Sequence, residues 1–201
     1  MTLFSVALPI APPVDPRSGW SSPRPTGCSG NCEEHQGFDF AAPDGRPVFA
    51  IAPGKVILSK DHNPTAGNWI VIAHDSAHTG LFSRYIHLQK RLVELGKHVY
   101  AGQQIGRSGE SASEGIPHLH FDISANPIMA ATLKKYGLAK LGRVAPGTGG
   151  ARLVPVEQFI KSSRISKEVV SWPLIADEGS NTWMWMLGGL AAAWYFLRRR
   201  R

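Results

Sequence analysis

The sequence predicts a mainly β protein built on an antiparallel sheet. Three observations point there. Short runs of β-branched and aromatic residues recur, at Val56-Ile57-Leu58, at Trp69-Ile70-Val71-Ile72-Ala73 and around Val99. Glycine and proline, 21 and 15 of the 201 residues, separate such runs in the manner of turns between strands. In Pro117-His118-Leu119-His120-Phe121, two histidines alternate with two apolar residues. On a strand this sends both imidazoles to one face and Leu119 and Phe121 into the core. The length suits one domain of ordinary size with appendages, and there is no internal repeat.

Along the chain, residues 1–19 form a proline-rich segment. Cys28 and Cys32 follow, four apart and just ahead of His35. A local disulfide in an oxidising compartment is the expected use; free thiols, or a second metal site with a nearby histidine, are the alternatives. The run Leu81-Phe82-Ser83-Arg84-Tyr85 reads as a strand, leaving His87 of Tyr85-Ile86-His87-Leu88 at its edge or in the loop just beyond. Residues 124–152 read as an insertion. It holds a helix over Ile128–Tyr136 stopped by Gly137, then a flexible run from Ala145 to Gly150, able either to wall one end of a cleft or to play no catalytic part.

His-x-His alone is a weak signal, but it has a counterpart upstream in His35-Gln36-Gly37-Phe38-Asp39. A straight strand would hold the Cα atoms of His35 and Asp39 roughly 13 Å apart, too far to share an ion. The chain must bend, and Gly37 permits it. His35, Asp39 and one histidine of the His118/His120 pair would then make three protein ligands. A structural zinc closes its shell with four ligands, whereas a catalytic zinc keeps one position for water. Three ligands beside a spare histidine therefore read as hydrolysis.

Together these residues resemble the lysostaphin-type (LytM-type) zinc metallopeptidases, enzymes that cut peptide cross-links of bacterial cell walls. The likeness runs from about Trp20 to Ile123 and resumes weakly at Val154–Phe159. It rests on His35-x-Gly37-x-Asp39, Tyr85-x-His87-Leu88 and His118-Leu119-His120-Phe121, with Gly54, Gly96, Gly102, Gly106 and Gly109 between them. The resemblance implies the antiparallel sheet core of that peptidase domain over residues 20–160. It implies one zinc ion held by His35, Asp39 and His120, with His118 as general base on the attacking water. His87 would stabilise charge on the scissile carbonyl oxygen. The family's threonine-glycine turn before the last motif is replaced here by Gly109-Glu110-Ser111-Ala112-Ser113-Glu114-Gly115. That loop lines the substrate groove in relatives.

The net charge of +7 is concentrated at one end: Arg198–Arg201 supply four charges, leaving +3 for the rest. A mildly basic body suits an anionic polymer such as cell wall. Outside the tail there is no basic stripe with interleaved aromatics, so no nucleic-acid partner is expected.

Residues 182–197, TWMWMLGGLAAAWYFL, carry no charge. As a helix they would span roughly 24 Å, short of a ~30 Å hydrocarbon core. Trp183 and Trp185 at one end, Trp194 and Tyr195 at the other, match interfacial aromatic belts, and the arginines can snorkel. A transmembrane helix is expected, against a helix packed on the domain or a cationic membrane-disturbing tail. Residues 161–181 would be the tether. The positive-inside rule would then place the arginines in the cytoplasm and the catalytic domain on the cell-wall side. The apolar start Thr2–Ile10 lacks a preceding positive charge and is interrupted by prolines, unlike a signal peptide. That combination suggests a bacteriophage lysis enzyme or a component of a membrane-containing virion.

Two classes of function follow. One is a zinc endopeptidase acting on peptidoglycan peptides. The other is a non-catalytic wall-binding or regulatory module of the same fold that activates other hydrolases. A degenerate module should lack one of His35, Asp39, His118 or His120; all four are present.

Overall fold

The computed structural model describes residues 5–10, 16–18, 35, 37–75, 80–113, 115–135, 141–156, 159 and 164–165. The chain divides into units 1–170 and 171–201, and every described residue lies in the first. Cys28, Cys32, Gly137, residues 182–197 and the arginine tail lie outside the described residues.

In chain order the elements are β1 (Ser5–Val6), β2 (Pro16–Ser18), β3 (Phe38–Ala41), β4 (Pro47–Phe49), β5 (Gly54–Asn63), β6 (Gly67–His74) and β7 (Leu81–Arg91). Then follow β8 (His98–Val99), β9 (Gln104–Ser108), β10 (His118–Ala125), α1 (Pro127–Lys135), β11 (Arg152–Val154) and β12 (Arg164–Ile165). The main sheet runs β2-β3-β10-β7-β6-β5-β8, with β11 on β10 and β9 joining β4 to β7. Every pairing in it is antiparallel. This is the mainly β architecture read from the glycine-punctuated apolar runs.

Period-two alternation makes the sheet two-sided. Leu119, Phe121 and Ile123 of β10, Tyr85 of β7, and Ile70 and Ile72 of β6 all enter one buried core. Trp69, Val71 and Ile86, at the alternate positions, join a smaller apolar cluster with Ala66 on the other face. His120 pairs in register with Ile86, so its side chain rises on that second face.

Within the core a polar chain links β6 and β7 to the loop between β4 and β5. Tyr85 Oη accepts the Ile51 N–H at 3.0 Å and shares a hydrogen bond of 3.0 Å with Ser83 Oγ. Ser83 Oγ lies 2.9 Å from His74 Nε2, and His74 Nδ1 lies 3.1 Å from the Pro53 carbonyl. Burial pushes the Tyr85 phenol upward, with its bonds to Ser83 and Ile51 opposing, so it stays a neutral hydroxyl. Here Tyr85 ties the sheet to the Ile51 loop, which fits a packing role.

The helix begins at Pro127, one residue before the expected start, because Asn126 caps it. Asn126 Oδ1 accepts the Met129 N–H at 2.8 Å, and proline at the first helical position lacks only an N–H that has no partner there. Met129 and Leu133 bury against the core. The expected insertion starts inside β10, since Ser124 and Ala125 still pair with β7 and β11. Its glycine-rich run closes a small hairpin through Ala145 N–H to Ala151 O, 2.9 Å. A Cβ placed on Gly147 would stand 3.3 Å from Leu58 and 3.4 Å from Trp69, so this turn lies on the smaller apolar cluster.

The proline-rich start also joins the fold. Val6, Ala7 and Ile10 are buried, Phe49 N–H donates to Pro9 O at 2.8 Å, and β1 pairs in parallel with β12 in the tether region.

Removing the Tyr85 hydroxyl strands the buried Ile51 N–H. Tyr85→Phe is expected to lower unfolding free energy by about 1–3 kcal/mol, measured by urea denaturation.

Candidate metal centre

Two neighbouring strands and one bend assemble the site. β3 and β10 pair with Asp39 opposite His120 and Ala41 opposite His118. Asp39 and His120 therefore rise side by side on the same face. His35 sits beyond the start of β3 and is turned back at Gly37, as the i,i+4 spacing required. Glycine is needed there for space: a Cβ would stand 2.5 Å from His120 Cε1 and 2.6 Å from its Nε2.

The three expected ligands converge. His35 Nε2 lies 3.0 Å from His120 Nδ1 and 3.2 Å from Asp39 Oδ1, while His120 Nδ1 lies 2.8 Å from the same oxygen. Zinc held tetrahedrally at about 2.0–2.1 Å separates its ligand atoms by roughly 3.4 Å. The observed triangle falls just inside that, so two imidazole nitrogens and a carboxylate oxygen fit one zinc ion. Among the described residues this is the group of three or more histidine and acidic side chains able to hold a metal. Burial alone would raise the Asp39 carboxyl. Hydrogen bonds from His120 and His35 hold it well below the usual carboxylate range, and it is an anion at neutral pH.

His118 and His87 face this triangle. His118 Nδ1 donates to Ile116 O at 2.8 Å, and its Nε2 lies 3.8 Å from Asp39 Oδ1. The His87 ring lies 4.7 Å from that of His118 and 6.2 Å from that of His120. Sequence reading put His87 at a strand edge or past it; it lies inside β7. It occupies a left-handed conformation, φ 63°, where the β6–β7 register slips between Asn68 and Ile70. The slip brings both His87 and Ile86 to where they can border the site. His87 Nδ1 donates to Ser111 O at 2.8 Å. Burial pulls its imidazolium down to about 4, against the Ser111 bond that raises it, so it is neutral at pH 7.

Two functional residues escaped the sequence reading. Asp122 is fully buried two residues beyond His120, with its Oδ2 3.4 Å from His120 Nε2, the nitrogen turned away from the ligand triangle. Arg84, its cross-strand neighbour on β7, donates from Nε to both carboxylate oxygens at 2.8 and 3.0 Å and from Nη2 to Oδ2 at 2.6 Å. A carboxylate behind a metal-binding imidazole fixes its orientation and raises its basicity. Burial would raise Asp122; Arg84 and His120 hold it low. Burial would likewise lower His120, but the hydrogen bonds and charges of Asp122 and Asp39 outweigh it and shift the ring upward. The available signal was the alternation itself, which puts Asp122 on the face of His118 and His120.

An antiparallel sheet carrying a two-histidine, one-aspartate triangle with two further histidines at its rim has the donor set of a catalytic zinc site. The profile of peptidase family M23 matches residues 33–130, which contain all five of these side chains. A sequence relative, the peptidoglycan DD-endopeptidase ShyB of Vibrio cholerae, is 42% identical over 106 residues, 53% of this chain and 24% of that protein. The crystal structure of a zinc containing peptidase from Vibrio cholerae aligns with TM-score 0.52 and 37% identity, over 59% of this chain and 36% of that one. The catalytic domain of the antimicrobial peptidase lysostaphin from Staphylococcus simulans aligns with TM-score 0.50 and 35% identity, over 56% of this chain and 81% of that domain. The chain carries a peptidase family M23 domain over residues 33–130. It spans about a quarter of the length of the curated relatives it matches.

Replacing the carboxylate behind His120 tests the outer support. Asp122→Asn is expected to weaken zinc binding about 10- to 100-fold, read by competition with a chromophoric chelator.

Proposed function

We propose that this protein is a zinc-dependent endopeptidase that hydrolyses peptide cross-links of bacterial peptidoglycan. The convergence of His35, Asp39 and His120 beside two further histidines carries the reading, supported by the family M23 match over residues 33–130 and by relatives named as peptidoglycan endopeptidases. His35, Asp39 and His120 would hold a zinc ion, which would supply Lewis acidity by lowering the pKa of water to about 7 and polarising a carbonyl.

The chain's own groups supply the proton handling. His118 gives its Nδ1–H to a backbone carbonyl, so in the neutral ring Nε2 is a lone pair turned toward the site, the form a general base requires. After accepting a proton from the attacking water, that nitrogen can return it to the leaving amine. His87 has the same tautomer, with Nδ1–H on Ser111 O. Neutral His87 therefore presents an acceptor, which can orient a water or a substrate N–H. It stabilises negative charge on the carbonyl oxygen only after Nε2 gains a proton. This refines the role expected from the resemblance.

The tail extends the proposal to location. Among the described residues no helix is long and apolar enough to cross a membrane, and residues 182–197 lie outside them. The uncharged, tryptophan-flanked stretch followed by four arginines supports a membrane anchor with the catalytic domain on the cell-wall side. A wall peptidase with such a tail suits a bacteriophage lysis protein or a virion membrane, the setting proposed for it.

Incubation of the full chain with purified sacculi, followed by mass spectrometry, tests the activity. New amine and carboxyl ends in the stem peptides, abolished by a chelator and restored by zinc, are expected, and they name the bond. Intact peptides with protein bound would favour the wall-binding module; cut glycan strands would overturn the reaction class. For the anchor, the full chain should sediment with membranes after an alkaline wash while a chain ending at Asn181 is released.

A further inference from the structure

The loop that departs from the family pattern, Gly109–Gly115, meets β6 and β7 through Ser111. Ser111 Oγ accepts the Asn68 N–H of β6 at 2.9 Å and donates to the Leu88 carbonyl of β7 at 2.8 Å. Its own carbonyl accepts the Nδ1–H of His87 at 2.8 Å. One serine thus joins two adjacent strands and the imidazole that lies between them and the metal ligands.

The surroundings show how closely the loop is held. A Cβ on Gly67, whose φ is 63°, would overlap both Ser111 O and Ser111 Oγ, so β6 and the loop touch backbone to backbone. Ala112, the next residue, takes φ 58°, a left-handed conformation that an L-residue other than glycine rarely adopts. His87 is itself left-handed and gives its N–H to Ala66 O at 2.9 Å, just before Gly67. Two non-glycine residues in this conformation, His87 and the residue that follows its partner Ser111, persist only where the surrounding contacts hold them.

We propose that Ser111 is a positioning residue for His87. A carbonyl oxygen can only accept, so its bond obliges Nδ1 to carry the proton and leaves the Nε2 lone pair as what His87 turns to the site. The hydroxyl keeps that carbonyl in place by closing the gap between β6 and β7 at their register slip. Without the hydroxyl, Asn68 N–H and Leu88 O lose their shared partner, the loop lifts, and the ring is free to exchange tautomers and rotate. Zinc would be held as before, because none of the three ligand side chains touches Ser111 in these bonds.

The inference rests on the reading of His87 as a participant in peptide hydrolysis, and the test separates the two. The zinc-loaded full chain, in mild detergent, is compared with Ser111→Ala and Gly67→Ala by ring 15N chemical shifts of His87, by kcat and KM on a cross-linked muropeptide, and by zinc affinity. The wild-type ring should show the Nδ1–H tautomer alone. Both variants should show a mixture with Nε2–H, a kcat lowered about tenfold as expected of a misplaced group, and unchanged KM and zinc affinity. An unaltered His87 spectrum in both variants overturns the proposal. So does a parallel loss of zinc affinity, which would make the loop a general structural support. If the wild type cleaves no peptide, the proposed function fails, and the ring spectra alone still decide what Ser111 does to His87.

Discussion

The site depends on one register, that of β10 between β3 and β7. It sets His120 beside Asp39 on one side and beside Ile86 on the other. Because side chains alternate across a strand, a slip of one residue would drive His118, His120 and Asp122 into the core and expose Leu119 and Phe121. Burial of those two apolar residues therefore fixes the metal ligands as firmly as any polar contact does. Deep packing and chemistry are here two faces of the same eight-residue strand.

The polar face is built in layers. Asp39, His35 and His120 form the triangle, and Asp122 backs His120 from the other ring nitrogen. Arg84 neutralises Asp122, which could not otherwise stay ionised at zero exposure. Such a buried pair contributes little net stability, since desolvation offsets most of the attraction. Its use is orientation: a carboxylate forked onto a guanidinium cannot swing, and so neither can the imidazole in front of it. His118 and His87 are fixed differently, each by its Nδ1–H on a loop carbonyl. All four histidines thus have an assigned outer partner or ligand direction, and both rim histidines turn the same nitrogen inward.

Sheet geometry also accounts for the asymmetry of the surroundings. On the β5–β6 side the face bearing the histidines carries an apolar cluster around Trp69, on which the Gly147 turn is seated. On the loop side it meets the Gly109–Gly115 segment through Ser111. Both bordering segments are ones where the sequence departs from the family pattern. These borders are where this chain frames the site with segments of its own.

The sequence by itself determined the ligand types, the strand alternation and the need for a bend at Gly37, because these follow from spacing and side-chain chemistry alone. It also marked the helix, misplacing its start by one residue because the cap at Asn126 is a side-chain choice. Only the tertiary structure decided which residues stand behind the ligands. Arg84 and Asp122 are 38 apart in sequence and meet through strand pairing. The same holds for Ser111 and His87, 24 apart. Nor could local pattern place His87 inside a strand in a left-handed conformation, since that arises from a register slip between β6 and β7. Burial of Val6, Ala7 and Ile10 in a segment that reads as a proline-rich extension was likewise decided by long-range packing, because whether an apolar residue is buried depends on what folds against it.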